Sequence, residues 1–456
     1  MRHPIILTAL AAILVACGPS TQTASSPEPQ NSAKLKAPNW SKDAVIYQIN
    51  TRQYSQNGTF KAVEQDLARI KSLGVDILWM MPIHPIGEVK RKGSLGSPYA
   101  VKDFQAVNPD LGTLEDFKSL VKTAQANDMK VIIDWVANHT AWDNHLITEN
   151  PEWYTRNEAG EMQHPPETDW HDVADLDYSK EGLRDYMTES LLYWVEEVGI
   201  DGYRCDVAGM VPTDFWNSVR PKLDAIKPVF MLAEWQDPEL HEKAFDASYA
   251  WRWKEIMQDI VKGKADASDI AGYYADYQAS WPEGAMRMAY TENHDQNTWD
   301  GSTSEIYGDA FEAAMALSFV GQGIPLIYNG QEAGNQKRLE FFEKDLIEWG
   351  GNSHKDLITK LASLKENNSV LWNGSLGEPL EVITTSQPKS VFSFVRRDAK
   401  SGVFAVFNLS GTAIDVSFKD NVQNGGYTTF LTGEAITITP ETKLSLQPWD
   451  YRIYIR

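Results

Sequence analysis

The stretch GIDGYRCDV, residues 199–207, decides the fold because it places an acidic residue, Asp206, at the end of a short apolar strand. Two other runs repeat this design: PVFMLAE ends at Glu234, and MRMAYTENHD ends at Asp295. In a parallel β-barrel, residues at the carboxyl ends of the strands point into the mouth of the barrel, where catalytic groups lie. Asp206, Glu234 and Asp295 are therefore candidates for catalysis.

Five more short runs of apolar or β-branched residues complete a set of eight predicted strands. Helical patterns, such as those at residues 114–127 and 183–198, separate the runs. Strands that alternate with amphipathic helices indicate βαβ units and a parallel sheet, and eight such units predict an α/β fold of the TIM-barrel type, (β/α)8. The additional runs are AVIYQIN (44–50), GVDILWM (74–80), MKVIIDWV (129–136), FDASYAW (245–251) and IPLIYN (324–329).

Two segments depart from this alternation. Residues 140–177, after the third strand, are rich in His, Pro, Trp and Asn, and the length of the segment predicts a short insertion domain. From residue 372 onward, alternating runs such as VFSFVRR and GVFAVFNLS predict a small antiparallel β-sandwich. We therefore expect a catalytic barrel at residues 40–371, including the insertion, and a C-terminal domain at residues 372–456.

The beginning of the chain predicts a signal peptide followed by a lipid anchor. Arg2 and an apolar run at residues 5–16 form a signal peptide, because the run is about half the length that spans a bilayer. The run ends in LVAC, which resembles a bacterial lipobox whose cysteine, Cys17, is lipidated after cleavage; an ordinary signal peptide is the alternative. Residues 17–39 then form a tether, and the resemblance implies a cell-envelope lipoprotein, most consistent with the outer membrane.

Composition excludes one class of partner. The formal net charge is −21, so the chain offers no basic surface with which to displace counterions from nucleic acid. The chain has two cysteines, and if Cys17 is lipidated only Cys205 remains, so no internal disulfide is expected. Cys205 alternates with Arg204 and Asp206 and is therefore predicted to face the helices as a buried apolar residue.

Six short blocks follow one another in a characteristic order: DWVANH, ADLDY, GYRCD, AEW, ENHD and GIPLIYNGQE. Together they resemble the signature blocks of the α-amylase family of glycoside hydrolases (family thirteen). The resemblance covers roughly residues 40–375. It implies cleavage of α-glucosidic bonds, most readily α-1,4, in maltooligosaccharides or starch-type glucans through a covalent glycosyl-enzyme.

The resemblance also assigns roles to the three acids. Asp206 is implied as the nucleophile, Glu234 as the general acid and base, and Asp295 as the group that holds sugar hydroxyls. Arg204, also a candidate substrate-binding residue, lies two residues before Asp206 and so on the same face of the strand, where its charge is expected to lower the pKa of Asp206. Apolar surroundings such as Trp235 are expected to raise the pKa of Glu234.

Three further residues resemble the family's sugar contacts. His139 and His294 match its pair of sugar-binding histidines, and Tyr99 in GSPYAV matches its stacking tyrosine. Structural histidines and a packing aromatic are the alternatives. No cofactor is required for the chemistry, but Asn138 and Asp175 resemble ligands of a structural calcium site; the alternative is that they only join the insertion to the barrel by hydrogen bonds.

The sequence departs from many α-amylases just after the nucleophile. Gly209 and Met210 stand where those enzymes have a Lys-His pair that contacts the leaving-group sugars, and neither residue offers those side-chain hydrogen bonds. The leaving-group sites should therefore differ, and internal attack on long starch is not implied. A glucanotransferase or isomerase on the same scaffold stays open, as does a non-catalytic glycan-binding surface lipoprotein.

Overall fold

The computed structural model describes residues 37–350 and 354–456. The predicted signal peptide, Cys17 and residues 18–36 of the predicted tether lie outside these ranges. Nearly all of the predicted barrel and C-terminal domain lie inside them. The boundaries proposed for the domains stay predictions.

Eight parallel strands close into a barrel, which confirms the predicted fold class. The first strand pairs with both the second and the last strand of the barrel, since Ile46 lies opposite Ile77 on one side and Leu326 on the other. All eight predicted strands are present. They are β1 (Ile46–Ile49), β2 (Ile77–Met80), β3 (Lys130–Trp135), β6 (Gly202–Cys205), β7 (Phe230–Ala233), β8 (Ala247–Tyr249), β9 (Met286–Tyr290) and β10 (Ile324–Tyr328).

The strands alternate between two apolar environments. Ile132, Leu232 and Met288 point into the barrel and belong to its interior cluster. Tyr203 and Cys205 point the other way, into the cluster between barrel and helices. Cys205 is fully buried there, as predicted from its position between Arg204 and Asp206.

Helices surround the barrel, and local sequence sets where several begin. One long helix starts after Thr113, whose side chain accepts from the backbone of Asp116 while the Asp116 side chain accepts in return, a capping box. Within the described ranges, no helix has both the length and the apolar character needed to cross a bilayer. The helices are α1 (Thr51–Tyr54), α2 (Phe60–Gln65), α3 (Leu67–Ser72), α4 (Leu114–Ala126), α5 (Leu146–Glu149), α6 (Glu181–Tyr193), α7 (Thr213–Ile226), α8 (Trp251–Val261), α9 (Ala267–Ser280), α10 (Thr303–Tyr307), α11 (Phe311–Val320) and α12 (Lys355–Asn367).

The segment after β3 forms a small unit over the carboxyl end of the barrel. Its two strands, β4 (His139–Ala141) and β5 (Val173–Asp175), pair antiparallel, with His139 opposite Asp175. Ala141 and Val173 form a small buried cluster there, with Trp170 packed against it. The insertion therefore places residues from both of its ends next to the barrel mouth.

The C-terminal part is antiparallel, as predicted. A six-stranded and a two-stranded sheet share one buried cluster that includes Phe404, Val416 and Leu446. Arg396 joins this part to the barrel because its buried guanidinium donates to the carbonyl oxygens of Gly321 and Glu378, each at 2.8 Å. The strands are β11 (Glu381–Val382), β12 (Val391–Arg397), β13 (Gly402–Asn408), β14 (Ile414–Ser417), β15 (Gly425–Thr429), β16 (Ala435–Ile438), β17 (Lys443–Leu446) and β18 (Tyr451–Ile455).

Candidate active site

The first two acids stand side by side at the carboxyl end of the barrel. β6 and β7 pair in parallel with Cys205 opposite Ala233, and Asp206 and Glu234 are the next residue of each strand. Neighbouring strands lie about 4.8 Å apart, so the two carboxylates are separated by roughly the width of one strand. This is the spacing at which one carboxylate can attack a sugar while the other donates a proton.

One buried cation holds three carboxylates together. Arg204 Nη1 donates to Asp206 Oδ1 at 2.8 Å and to Asp134 Oδ1 at 2.7 Å. Its Nη2 lies 2.7 Å from Glu234 Oε1. Because the Arg204 side chain is fully buried, these ion pairs are poorly screened by solvent. Arg204 therefore lies beneath the site and fixes the positions of both candidate catalytic acids.

Burial dominates the pKa values of the two acids. It raises the pKa of Glu234 to about 8, which confirms the predicted direction. It also raises the pKa of Asp206 to about 7, although Arg204 acts in the opposite direction. The prediction of a lowered pKa for Asp206 was therefore wrong, because loss of solvent and the negative charge of Asp134 outweigh the attraction of the guanidinium. Both carboxyl groups therefore hold their protons to a higher pH than ordinary surface carboxyl groups do.

The residue just after Asp206, Val207, has a strained backbone conformation that directs its N–H at Glu234. Val207 has φ 35° and ψ 49°, a left-handed conformation that β-branched residues rarely adopt. In this conformation its amide N–H donates to Glu234 Oε2 at 2.8 Å. Strain of this kind persists where the surrounding structure enforces it, and such positions cluster at functional sites. The residue after one acid thus positions the other.

Asp134 is a site residue that sequence analysis did not single out, although it opens the DWVANH block. Its Oδ1 accepts from Arg204, while its Oδ2 accepts from the indole of Trp79 at 3.1 Å and from the hydroxyl of Tyr99 at 3.0 Å. The carboxyl is fully buried, and burial raises its pKa to about 6. Asp134 therefore connects Arg204 to the aromatic wall of the site.

His294 is a neutral ring held in one orientation. Gln48 Oε1 accepts from the backbone N–H of His294, so the amide nitrogen of Gln48, 2.7 Å from Nδ1, donates to the ring. Burial lowers the pKa of His294 to about 4, and the remaining ring hydrogen therefore lies on Nε2. That atom is 2.6 Å from the Tyr99 hydroxyl and 3.3 Å from Asp295 Oδ2. Tyr99 stacks on the ring at 5.4 Å between centroids.

His139 approaches the site from the insertion. Its ring is buried, lies 5.5 Å from that of Trp170 between centroids, and has a pKa that burial lowers to about 4. A neutral imidazole in this position can donate one hydrogen bond and accept another. His139 therefore suits recognition of a sugar hydroxyl rather than proton transfer near neutral pH.

A cavity of about 450 Å³ brings most of the predicted site residues together. Arg204 is fully buried below the cavity and is not among its lining residues, so it supports the floor and is not placed to contact a substrate as predicted. Asp295 is the most exposed of the three predicted catalytic acids, with 43% of its side chain accessible. The predicted residues that line the cavity are Tyr99, His139, Asp206, Glu234, His294 and Asp295.

Part of the wall comes from aromatic residues that no sequence pattern indicated. Trp299 is 57% exposed, and its ring packs against Phe341 at 5.5 Å and Phe342 at 6.2 Å between centroids. Phe341 in turn stacks on Tyr99 at 6.2 Å. The cavity thus has a continuous aromatic side, which suits the apolar faces of sugar rings.

The space beside Gly209 is occupied by an indole. A Cβ atom at Gly209 would lie 2.1 Å from the Trp235 ring, so a side chain there requires that ring to move. Trp235 also contacts Trp251, with centroids 6.0 Å apart. The indole of Trp235, the residue after Glu234, therefore fills the space beside Gly209.

Asn138 and Asp175, the two predicted calcium ligands, lie close together and take part in hydrogen bonds within the protein. The amide of Asn138 is 3.5 Å from Asp175 Oδ1, and Thr155 donates to Asp175 Oδ2 at 2.7 Å. Calcium takes about six to eight oxygen ligands, and the described ranges contain no cluster of three or more acidic, His or Cys side chains that could hold a metal ion. These two residues alone do not fit such an ion, and calcium binding stays a prediction.

Comparisons with known proteins agree with this geometry. The family model for the catalytic domain of α-amylase matches residues 39–370, and the model for the C-terminal all-β domain of α-amylase matches residues 383–450. An α-amylase from Lactobacillus plantarum is similar in structure, with a TM-score of 0.82 and 32% identity over 91% of this chain and 99% of that one. A maltogenic α-amylase, AmyB, from Thermotoga neapolitana gives a TM-score of 0.83 and 30% identity over 91% and 98%.

Curated relatives are longer than this chain. α-Amylase MalA from Haloarcula japonica is 29% identical over 355 residues, 74% of this chain and 50% of the relative. A cyclomaltodextrin glucanotransferase from Bacillus sp. strain 1-1 is 25% identical over 417 residues, 75% and 57% respectively. The chain thus spans about half the length of these two relatives. Both domain models and the solved structures nevertheless agree, and the chain belongs to the α-amylase family of glycoside hydrolases.

Proposed function

We propose that this protein hydrolyses α-glucosidic bonds, most readily α-1,4 bonds in maltooligosaccharides or starch-type glucans, with retention of configuration. The observation that carries the proposal is the pairing of Asp206 with Glu234 over Arg204, at the floor of a cavity with an aromatic side. A neutral sugar fits this cavity because its ring can stack while its hydroxyls meet buried polar groups.

In the first step Asp206 attacks the anomeric carbon. The bond from that carbon to the leaving oxygen breaks, and Glu234 donates its proton to the oxygen as it departs. The product is a β-linked glycosyl ester on Asp206. In the second step Glu234, now ionised, takes a proton from a water molecule whose oxygen attacks the same carbon and displaces Asp206. Two inversions give a product with the original α configuration.

The surrounding charges favour a cationic transition state. Positive charge develops on the sugar ring in the transition state of each step, close to the carboxylates of Asp206 and Asp295. The buried Arg204 holds Asp206 in place from below and favours its ionised form. His139 and His294 are neutral and add no positive charge beside the ring.

The stereochemistry of the product tests this proposal directly. We expect proton NMR during the first minutes of maltooligosaccharide hydrolysis to show the α-anomer of the new reducing end, before mutarotation mixes the anomers. The reason is the narrow gap between Asp206 and Glu234, which leaves no room for a water molecule on the opposite face of the ring. An initial β-anomer would contradict the assignment of Asp206 as nucleophile.

We also expect kcat/KM to show a bell-shaped pH profile. Asp206 must be ionised, so activity rises as pH increases through the pKa of about 7 of this group. Glu234 must be protonated, so activity falls as pH increases through its pKa of about 8. Initial rates over the acid, neutral and alkaline range measure both limbs, and the Glu234→Gln variant should lose the alkaline limb. An alkaline limb that persists in that variant belongs to another group.

Transfer to a sugar acceptor is a second candidate, favoured by the aromatic surface of Trp235. Trp235 directly follows Glu234 in the chain, so an acceptor sugar that packed against its ring would lie beside Glu234 and could replace water in the second step. Hydrolysis and transfer share the covalent intermediate and differ in what intercepts it. Chromatography of products from a single pure maltooligosaccharide separates them, because transfer yields chains longer than the substrate. A Trp235→Ala variant should then shift the product ratio towards hydrolysis.

We propose further that Cys17 carries the lipid that anchors the protein in the bacterial cell envelope, most consistently in the outer membrane. The support is the LVAC motif at the end of the apolar run. A Cys17→Ala variant is expected to leave the membrane fraction while keeping its specific activity, because buried methylenes supply the anchoring free energy. Fractionation followed by immunoblotting measures this, with Cys205→Ala as the control. Recovery of the Cys17 variant in the membrane pellet would contradict the assignment of Cys17 as the lipid anchor.

A further inference from the structure

The two ends of the cavity are built from opposite sides of the barrel. Glu234 follows β7, and β7 is diametrically opposite β1 in the closed order of eight strands. The loops after β2 and β10 follow the two strands that flank β1, and the insertion follows β3, the next strand beyond β2. The leaving group departs beside Glu234, so the other end of the bound sugar chain runs towards these three segments.

A lysine joins the first two of these segments. Lys92, in the loop after β2, has its Nζ 3.2 Å from Asp172 Oδ1 in the insertion and donates to the Asp169 carbonyl oxygen at 3.0 Å. The Asp172 side chain is only 6% exposed, so the ion pair is largely shielded from solvent on that side. Lys92, Asp169 and Asp172 all line the cavity that contains Asp206 and Glu234.

The same loop is also fixed to the segment after β10. Ser94 N–H donates to Glu343 Oε1 at 2.7 Å, and Leu95 N–H donates to the Phe342 carbonyl oxygen at 3.1 Å. Gly93 lies so close that a Cβ atom there would be 2.4 Å from Phe342 Cβ, and its φ of 65° suits glycine. We call residues 92–95, with the contacts on both sides, the rim bridge.

A second ion pair supports the rim bridge behind Lys92. Lys102 Nζ lies 3.0 Å from Asp143 Oδ2, and the Glu88 N–H donates to the same carboxylate at 3.1 Å. Both contacts join the loop after β2 to the insertion. The rim bridge is therefore held at several points, and Trp299 offers an exposed ring face on the same cavity.

We propose that the rim bridge closes the cavity beyond the reacting sugar, so that the active site takes the non-reducing end of an α-glucan and releases short products from that end. This inference rests on the proposed function. Cleavage within a long chain requires the chain to continue past the site in both directions, and the rim bridge blocks the direction away from Glu234. The side beside Glu234 receives the remainder of the chain.

Paired substrates test the direction of attack. An aryl maltoheptaoside with a free non-reducing end is compared with the same compound carrying an ethylidene block on its terminal glucose. The wild-type protein is expected to cleave the free compound and to cleave the blocked one at less than about a tenth of that rate. Similar rates on both would overturn the proposal. Failure on both compounds and on unmodified maltooligosaccharides would instead overturn the proposed function.

Variants then connect the preference to the rim bridge. The double change Lys92→Met with Asp172→Asn removes the ion pair, and we expect the ratio of blocked to free cleavage to rise about tenfold. Lys61→Met is the matched control, because it removes an exposed lysine from an ion pair with Asp116 elsewhere and should leave the ratio unchanged. Lys92→Met alone serves if the double variant fails to fold. If a folded Lys92 variant keeps the wild-type ratio of blocked to free cleavage, the rim bridge does not cause the preference for the non-reducing end.

Discussion

Replacing Asp206 with asparagine is expected to reduce kcat on maltooligosaccharides by roughly four orders of magnitude or more, because an amide cannot form the glycosyl ester. The melting temperature should change little. The new side chain has the same size, and Arg204 keeps its ion pairs with Asp134 and Glu234. Steady-state kinetics and thermal unfolding of the same preparation measure both effects.

Asp201 offers a matched control on the same strand. It immediately precedes β6, at the end of the strand opposite to Asp206, where it accepts from Val131 N–H at 2.9 Å and pairs with Lys227 at 3.0 Å. Asp201→Asn makes the same chemical change at a structural position. We expect it to lower the melting temperature while kcat stays near that of the wild type. If Asp201→Asn lost kcat while Asp206→Asn lost only thermal stability, the catalytic role would belong to Asp201 and the structural role to Asp206.

Replacing Glu234 with glutamine is expected to have the second largest effect, and one that depends on the leaving group. Without a proton donor, cleavage of a natural maltooligosaccharide should fall by about three orders of magnitude. An α-glucosyl fluoride needs little protonation to leave, so its first step should be largely preserved in this variant and lost in Asp206→Asn. Equal losses on both substrates would mean that Glu234 does not act as the acid.

Azide distinguishes the two variants by the product that it forms. In Glu234→Gln, azide attacks the glycosyl ester on Asp206 and needs no general base, so the product should be the α-glucosyl azide. In Asp206→Asn, azide takes the place of the missing nucleophile and attacks the substrate itself, which gives the β-glucosyl azide. NMR of the isolated azides separates these outcomes. The same anomer from both variants is incompatible with the assigned roles.

The barrel and its central acids were predictable because their signals are local. Each strand is a short apolar run, and a polar residue that follows such a run lies at the barrel mouth whatever the rest of the chain does. Asp206 and Glu234 satisfy this rule, and the structure places them at adjacent register positions. Asp134 could also have been found from the sequence. It lies two residues after Ile132, on the same face of β3, and that face points into the barrel.

Other parts of the site depend on contacts between distant segments. Lys92 and Asp172 meet although they lie 80 positions apart in the chain, and neither has a local pattern that predicts the other. Phe341 belongs to a loop whose path no periodicity specifies. The pKa of Asp206 belongs to this group as well, because the neighbour in sequence, Arg204, was visible while the extent of burial was not.

The contact between Gly209 and Trp235 constrains the order in which substitutions can accumulate. A lysine introduced at residue 209 would collide with the indole, while an earlier change of Trp235 to a small residue would make room for it. The two substitutions are therefore coupled, and their effects on activity should not add. A variant library that changes one position at a time would score the lysine as harmful and would miss the pair.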